Sequence, residues 1–206
     1  MRRCDLQTQK ANPEFFALII GDAVHNLRAS LDHWAAALVS ETTGNPIDTR
    51  VYFPFYGQGK TLESARGYSS IKQAAPDVAD FIRQKIKPGF DGDRNLWSIT
   101  DLDNIDKHNF ILPIVALASV TDLELRWPPD NFLKDVSAGG EATSPVRLIR
   151  AEVPFSIGKN FKTAVEITFP KGSLFENEPV IPTITKLGEV VTKTLDALEG
   201  FLRQHP

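Results

Sequence analysis

The sequence is organised around one long helical pattern at residues 13–41, PEFFALIIGDAVHNLRASLDHWAAALVSE. Asn12 is suited to cap the start of this helix, and Pro13 is suited to its first turn. The turn residues at 44–46 are suited to end it. Apolar residues fill both ends, whereas the centre, GDAVHNLRASLDH (21–33), carries two acids, two histidines, an asparagine and an arginine. A helix with one broad apolar face predicts a bundle core, and its polar centre is a candidate functional site.

Three further helical patterns follow this first helix. Residues 69–87 are helical with an internal proline that begins a second helix, and residues 95–109 repeat an apolar residue at every third position. Residues 184–203 place their leucines and valines on one side, so this helix needs an apolar partner, and the first helix is the natural one. The intervening RVYFPFY (50–56) is aromatic and contains proline, which indicates an extended segment crossing the core.

Between the helical patterns at 95–109 and 184–203, the sequence changes from a helical to a strand pattern and predicts a small antiparallel sheet. Four stretches indicate strands: 114–120, 122–127, 146–156 and 163–170. Residues 128–145 are rich in Pro, Gly and Ser and predict a loop, and residues 1–12 predict a polar tail. We therefore expect an α+β fold of a single domain over residues 1–206, a helical bundle with a small antiparallel β-sheet inserted before the C-terminal helix. The predicted helical part, β part and closing helix are 13–112, 113–172 and 180–204.

Composition narrows the class of protein. The 206 residues are 42% hydrophobic and 24% charged with a net charge of −3, which excludes binding of nucleic acid through bulk positive charge but not through a local site. Cys4 is the only cysteine, so an internal disulfide and a cysteine zinc cluster are excluded and a reducing compartment is favoured. No apolar run approaches the roughly 20 residues of a membrane span. We expect a cytoplasmic protein without a membrane partner.

The ionisable groups of residues 21–33 share one face of the helix. At about 100° per residue, His25, Arg28 and Asp32 lie on the arc of the helix opposite the leucines. Arg28 and Asp32 are four residues apart and His25 and Asp32 are seven apart, so the two side chains of each pair can meet. This face lacks the Glu, Lys and Gln typical of a solvated helix surface. Three interpretations remain open: a solvated face, a buried polar network that braces the bundle, and a functional site. The residue types favour the functional site.

A second polar cluster lies in NLWSITDLDNIDKHNF, residues 95–110. Asp101, Asn104 and His108 follow one another at spacings of three and four, on one stripe of the predicted helix. Lys107 also suits a helix C-terminus, where a cation complements the dipole. Three of the four histidines thus fall on two helices that can face each other, and we expect the site between these helices.

The two motifs, GDAVHNLRASLDH and LDNIDKHNF, resemble a bacterial family of uncharacterised proteins with the pattern G-D-x-x-H-N-L-R-x-x-L-D-H and, downstream, L-x-N-I-D-K-H-R. The resemblance covers about residues 15–115 and, loosely, the final helix, and it implies no activity. Asn109 stands where the family pattern favours arginine. If that arginine binds an anion, this chain does so less well.

The spacing Arg28-x4-His33 also resembles the motif of the HEPN superfamily (higher eukaryotes and prokaryotes nucleotide-binding). Its helical members include metal-independent ribonucleases that place the pair at a dimer interface and cleave RNA through its own 2′-OH. The resemblance implies that His33 is a general acid or base, that Arg28 stabilises the phosphorane charge, and that the chain forms a homodimer. Histidine titrates near neutral pH and arginine binds phosphate bidentately, as this chemistry requires. In the superfamily the motif usually lies late in the bundle, whereas here it lies on the first helix.

The candidate site residues follow from both motifs. His25 and Asp32 complete the candidate catalytic set by orienting the Arg28–His33 pair. The candidate substrate-binding residues are Asn26, Asn104, Lys107 and His108. On this interpretation the ligand is RNA or a nucleotide and no cofactor is needed.

Two other functions remain open at this point. His25, His33 and His108, with Asp32 or Asp106, could bind Zn²⁺ or a similar divalent metal in a hydrolase or transferase, although the first two histidines are eight apart rather than four. Alternatively, the polar face could specify helix pairing in a binding or assembly module without chemistry.

Overall fold

The computed structural model describes residues 2–6, 13–109, 114–140, 146–151, 154–158 and 161–205. The chain folds into two compact units, which we call the β unit (Met1–Ala17 and Leu112–Ile181) and the helical unit (Leu18–Ile111 and Pro182–Pro206). The expected α+β class, with an antiparallel sheet before the C-terminal helix, is confirmed. The single domain over the whole chain stays a prediction.

Five α-helices lie in the described residues, at the positions that the sequence predicts. They are α1 (Pro13–Thr43), α2 (Tyr68–Ala74), α3 (Pro76–Phe81), α4 (Arg94–Asn109) and α5 (Val180–Gln204). A short 3-10 turn (Leu62–Ser64) precedes α2, and a π turn (Ile82–Ile86) extends α3. In the part of the chain that the structure describes, no helix is both long and apolar enough to cross a membrane.

The helices of the helical unit enclose an apolar core. Its buried side chains include the following from α1, α4 and α5: Val24, Leu31, Ala35, Leu38, Leu96, Ile99, Leu102, Leu187, Val191 and Leu198. Each of the larger ones contributes about 1.5–3 kcal/mol by leaving water. A methyl group on Gly188 of α5 would lie 3.9 Å from Leu27 Cδ2 of α1, so the Leu27 side chain packs beside α5 at this glycine. The pairing of the last helix with the first, expected from the sequence, is confirmed.

Residues 51–55 follow α1 as an extended segment outside any regular strand, as predicted. The Phe53 ring is 1% exposed and meets Trp34 of α1 edge-on at 6.3 Å. Gly67, just before α2, has a left-handed φ of 89°, and a side chain there would collide with the carbonyl of Tyr52. Only glycine permits both this backbone angle and this approach, which holds the segment against α1 and α2.

The β unit is built around β2 (Ile114–Trp127). One edge of β2 pairs antiparallel with β3 (Asn131–Gly140), and the other pairs with β6 (Lys162–Thr168) and β5 (Ser156–Ile157). A separate two-stranded sheet joins β1 (Arg2–Leu6) to β4 (Val146–Ala151). The two strands predicted at 114–120 and 122–127 are one strand, whose register shifts around Asp122 at a φ of 59°.

Two sequence predictions in this unit are wrong. The loop predicted at 128–145 contains β3, whose glycines and charged residues have low strand propensity but are held by pairing with β2 across a tight hairpin. The polar tail predicted at 1–12 contains β1, which pairs with a strand some 145 residues later, so no local pattern reveals it. Residue 1 and the stretches 7–12 and 141–145 lie outside the described part of the chain.

Candidate functional site

Polar side chains of α1, α4 and the extended segment meet around Arg28 in the helical unit. The Arg28 guanidinium lies 3.1 Å (Nε) from Asp32 Oδ2 and 4.3 Å above the centre of the Phe55 ring. Its side chain is 13% exposed, and Nη1 is buried without a hydrogen-bond partner among the described residues. Arg28 is therefore a largely buried cation whose hydrogen-bonding capacity is only partly used.

Asp32 anchors this cation one helical turn later. Its Oδ1 accepts a hydrogen bond of 2.7 Å from the backbone N–H of Phe53, which ties the extended segment to α1. Burial raises the pKa of the Asp32 carboxyl, and burial also lowers the pKa of Arg28, in each case against the opposing effect of its ion-pair partner. Both directions show that desolvation outweighs the mutual attraction in setting these two pKa values, as is common for buried ion pairs. The Arg28–Asp32 contact itself is as the four-residue spacing predicts.

Asp103 of α4 orients the imidazole of His25. Its side chain is only 4% exposed, and its Oδ1 lies 3.1 Å from His25 Nδ1 while its Oδ2 accepts a 2.6 Å hydrogen bond from Lys107 Nζ. An Nδ1–H bonded to a carboxylate leaves Nε2 of the neutral ring free to take up a proton. His25 itself is 58% exposed, so this nitrogen can reach a ligand.

Two adjacent cavities open beside these groups. The first, which we call the histidine cavity, has a volume of about 250 Å³. Its lining includes all four candidate catalytic residues and one cation from α4: His25, Arg28, Asp32, His33 and Lys107. The second, the Arg66 cavity, has a volume of about 290 Å³ and shares Arg28, Asp32, Tyr52 and Lys107 with the first. The predicted convergence of the polar faces of α1 and α4 is therefore present.

The remaining candidate residues lie in different places. Asn104 lines the Arg66 cavity, whereas Asn26 is exposed on α1 and lines neither of these two cavities as the structure describes them. Asp106 packs its carboxylate against Gly21 of α1. His108 belongs to α4, but its side chain lies outside the described part of the chain.

The metal alternative stays a prediction. Among the side chains that the structure describes, no three His, Cys, Asp or Glu groups are arranged to hold a metal ion. His25, one of its proposed ligands, is engaged by Asp103 rather than by Asp32 or Asp106.

Sequence reasoning missed Asp103, Arg66 and the contacts of the Tyr52 and Phe55 rings with the two arginines. It paired His25 with Asp32, whereas the partner is Asp103 on another helix. The four-residue spacing of Asp103 and Lys107 was a usable signal for an ion pair, but it did not indicate a third partner. Arg66, whose guanidinium lies 4.1 Å above the Tyr52 ring, stands between the predicted extended segment at 50–56 and the helical pattern at 69–87, with no sequence pattern around it.

A larger cavity of about 440 Å³ lies at the hairpin between β2 and β3. Its charged side chains are Glu124, Arg126, Asp130 and Lys134, of which the first two form an ion pair of 2.8 Å. As far as the structure describes its lining, this cavity has no histidine and no buried charge, so the described residues offer no group suited to proton transfer near neutral pH.

The close approach of α1 and α4 at the site depends on Gly21. A methyl group there would lie 2.7 Å from Cγ of Asp106 and would force this carboxylate away. We expect Gly21→Ala to lower the free energy of unfolding by about 1 kcal/mol, because overpacking costs about 1–3 kcal/mol and exceeds the helix-propensity gain of about 0.5–1 kcal/mol. Urea unfolding measures this difference.

Gly200→Ala on α5 is the matched control. Among the described residues, no atom lies within 4 Å of the added methyl group at this position, so only the propensity gain applies. We expect this variant to be more stable than the wild type by about 0.5–1 kcal/mol. Equal signs for the two variants would contradict the close helix contact at Gly21.

Comparison of the chain with protein-family models, with curated proteins and with solved structures gives no match. The resemblances to the bacterial family and to the HEPN superfamily therefore stay predictions. The chemistry of the site has to be inferred from its own geometry.

Proposed function

We propose that the protein is a HEPN-like, metal-independent ribonuclease, and that the histidine cavity is its active site. The observation that carries this proposal is that two imidazoles, a largely buried guanidinium and an ammonium group line one cavity of about 250 Å³. Cleavage of RNA through its own 2′-OH needs these components: two groups that exchange protons near neutral pH and positive charge at the phosphate.

The reaction balances with the groups present. One imidazole takes the proton of the 2′-OH, the 2′-oxygen forms a bond to phosphorus, and the bond from phosphorus to the 5′-oxygen breaks. The second imidazole donates a proton to that 5′-oxygen. The products are a 2′,3′-cyclic phosphate and a free 5′-OH, and no oxidant, reductant or metal is consumed.

The charges of the cavity suit this sequence of steps. Arg28 and Lys107 each face a carboxylate, Asp32 and Asp103, so with neutral histidines the formal charges cancel. Protonation of one imidazole, which the acid catalyst requires, makes the cavity positive. A phosphate that enters then finds a complementary charge.

Each side chain can be given a role on this basis. His33 and Arg28 act as the HEPN resemblance implies, as acid or base and as the cation that stabilises the phosphorane. His25, oriented by Asp103, is the second proton-transfer group, and Asp32 holds Arg28 in place. We further propose a cytoplasmic location, since a single cysteine fits a reducing compartment, and a homodimer on the strength of the HEPN resemblance.

A ribonuclease assay in the presence of a chelator tests the proposal. We expect the wild-type protein to cleave single-stranded RNA in excess EDTA, and to leave 2′,3′-cyclic phosphate ends that mass spectrometry identifies. The control substrate is the same RNA with 2′-O-methyl groups, which lacks the attacking hydroxyl and should remain intact.

Other outcomes would change the assignment. Cleavage that requires an added divalent metal would favour the metal alternative. Absence of cleavage under all conditions would leave the polar network around Arg28 with a structural role.

A further inference from the structure

We propose that the Arg66 cavity is a second phosphate subsite, which takes the phosphate next to the scissile one in an RNA chain. This inference rests on the proposed function for the identity of the ligand. It rests on the geometry of Arg66 and on the adjacency of the two cavities for the location of the subsite.

Arg66 is available to bind an anion. Its guanidinium lies 4.1 Å above the centre of the Tyr52 ring, and no carboxylate lies within ion-pair distance of it among the described residues. A guanidinium stacked on an aromatic ring keeps its N–H groups at the edge of the plane, where they match the oxygens of a phosphate bidentately. The side chain is exposed, so an incoming ligand can reach it.

The other cations of the two cavities already have acidic partners. Arg28 is paired with Asp32, and Lys107 is paired with Asp103. Arg66 therefore gives its cavity an excess positive charge. Thr100 and Asn104, which lie four residues apart on α4, add neutral hydrogen-bonding groups to the same lining. An anion with several oxygens is the complementary ligand.

The sizes of the cavities point to a ligand with two parts. Small-molecule sites usually measure about 300–1,000 Å³, whereas these cavities measure about 250 and 290 Å³. Because Arg28, Asp32, Tyr52 and Lys107 line both, the cavities are immediate neighbours. Two phosphates joined through one nucleoside can occupy both at once, with one at the histidines and one at Arg66.

Equilibrium binding of small nucleotides tests this subsite without any cleavage. The probes are adenosine 3′,5′-bisphosphate and the two corresponding monophosphates, titrated calorimetrically at one low salt concentration. We expect the wild type to bind the bisphosphate about tenfold more tightly than either monophosphate, since a second charge-assisted contact is gained. In Arg66→Gln this preference should fall to about twofold or less.

Arg94→Gln is the matched control. Arg94 also lies over an aromatic ring, that of Phe90 at 4.9 Å, but is absent from the described linings of both cavities. This variant should keep the wild-type preference. Equal binding of all three probes by the wild type, binding of none, or a preference that survives in Arg66→Gln would overturn the subsite.

The subsite and the ribonuclease can fail separately. A bisphosphate preference that depends on Arg66, in a protein that does not cut RNA, would support the subsite and overturn only the ribonuclease. RNA cleavage by a wild type without this preference would support the ribonuclease and overturn only the subsite.

Discussion

Replacing His33 with alanine is expected to slow RNA cleavage about 10²–10⁴-fold, the usual contribution of a positioned general acid or base. His33 is exposed at the histidine cavity and shares its lining with Arg28 and Lys107. The loss should appear in kcat, because the imidazole acts on protons that move only in the transition state. Initial rates on an end-labelled RNA, at substrate concentrations above and below KM, measure both constants.

His205→Ala is the control for this variant. His205 is also exposed, but its Nδ1 lies 3.0 Å from the carbonyl oxygen of Phe201 at the end of α5, and it lines neither cavity. Its loss should leave the rate unchanged. Because both histidines are exposed, both variants should melt close to the wild-type temperature. Wild-type activity in His33→Ala would remove the assignment of His33 and with it the Arg-x4-His mechanism.

The part of this site that the sequence predicts is the part encoded by short-range spacing. The Arg28–Asp32 pair depends on a four-residue step along one helix, and the contact follows once the helix forms. The polar face of α1 is likewise visible from residue types alone. The three long helices, α1, α4 and α5, were predictable because apolar periodicity over 16 or more residues leaves few alternatives.

The remaining part depends on which element packs against which. Asp103 lies 78 positions from His25, and its partnership with that imidazole exists only because α4 packs on α1. Arg66 reaches Tyr52 because Gly67 lets the chain turn closely against the Tyr52 carbonyl, a backbone arrangement without a sequence period. In the β unit, β1 pairs with a distant strand and has no periodic signal of its own. Long-range pairings such as these are set by tertiary packing.

Replacing Arg28 with methionine and Asp32 with asparagine together is expected to slow cleavage about 10²–10³-fold without lowering the stability of the fold. The rate falls because the phosphorane loses its nearest buried cation, for which losses of this size are typical. The stability should rise by up to about 1–4 kcal/mol, since buried ion pairs often cost more in desolvation than they return in attraction. The introduced asparagine would keep an acceptor for the Phe53 N–H, and the introduced methionine can pack against Phe55.

The gain in stability should depend on pH in a defined direction. Burial raises the pKa of the Asp32 carboxyl in the folded state, so the folded protein favours the protonated carboxyl. The stability that this preference adds is present below about pH 3.9, the ordinary pKa of Asp, and is lost as the pH rises through the raised value. The double variant lacks this titration, so its advantage in urea unfolding should be largest near pH 7 and shrink towards pH 4. The exposed pair of Arg50 and Asp48 should show the opposite pH dependence. Hydrogen bonds from Arg50 lower the pKa of Asp48, so this pair stabilises the folded state only above the unfolded pKa of Asp48. A double variant at positions 28 and 32 that unfolds more easily than wild type at pH 7 would show that the buried pair holds the fold together, and the trade between stability and catalysis at this site would be refuted.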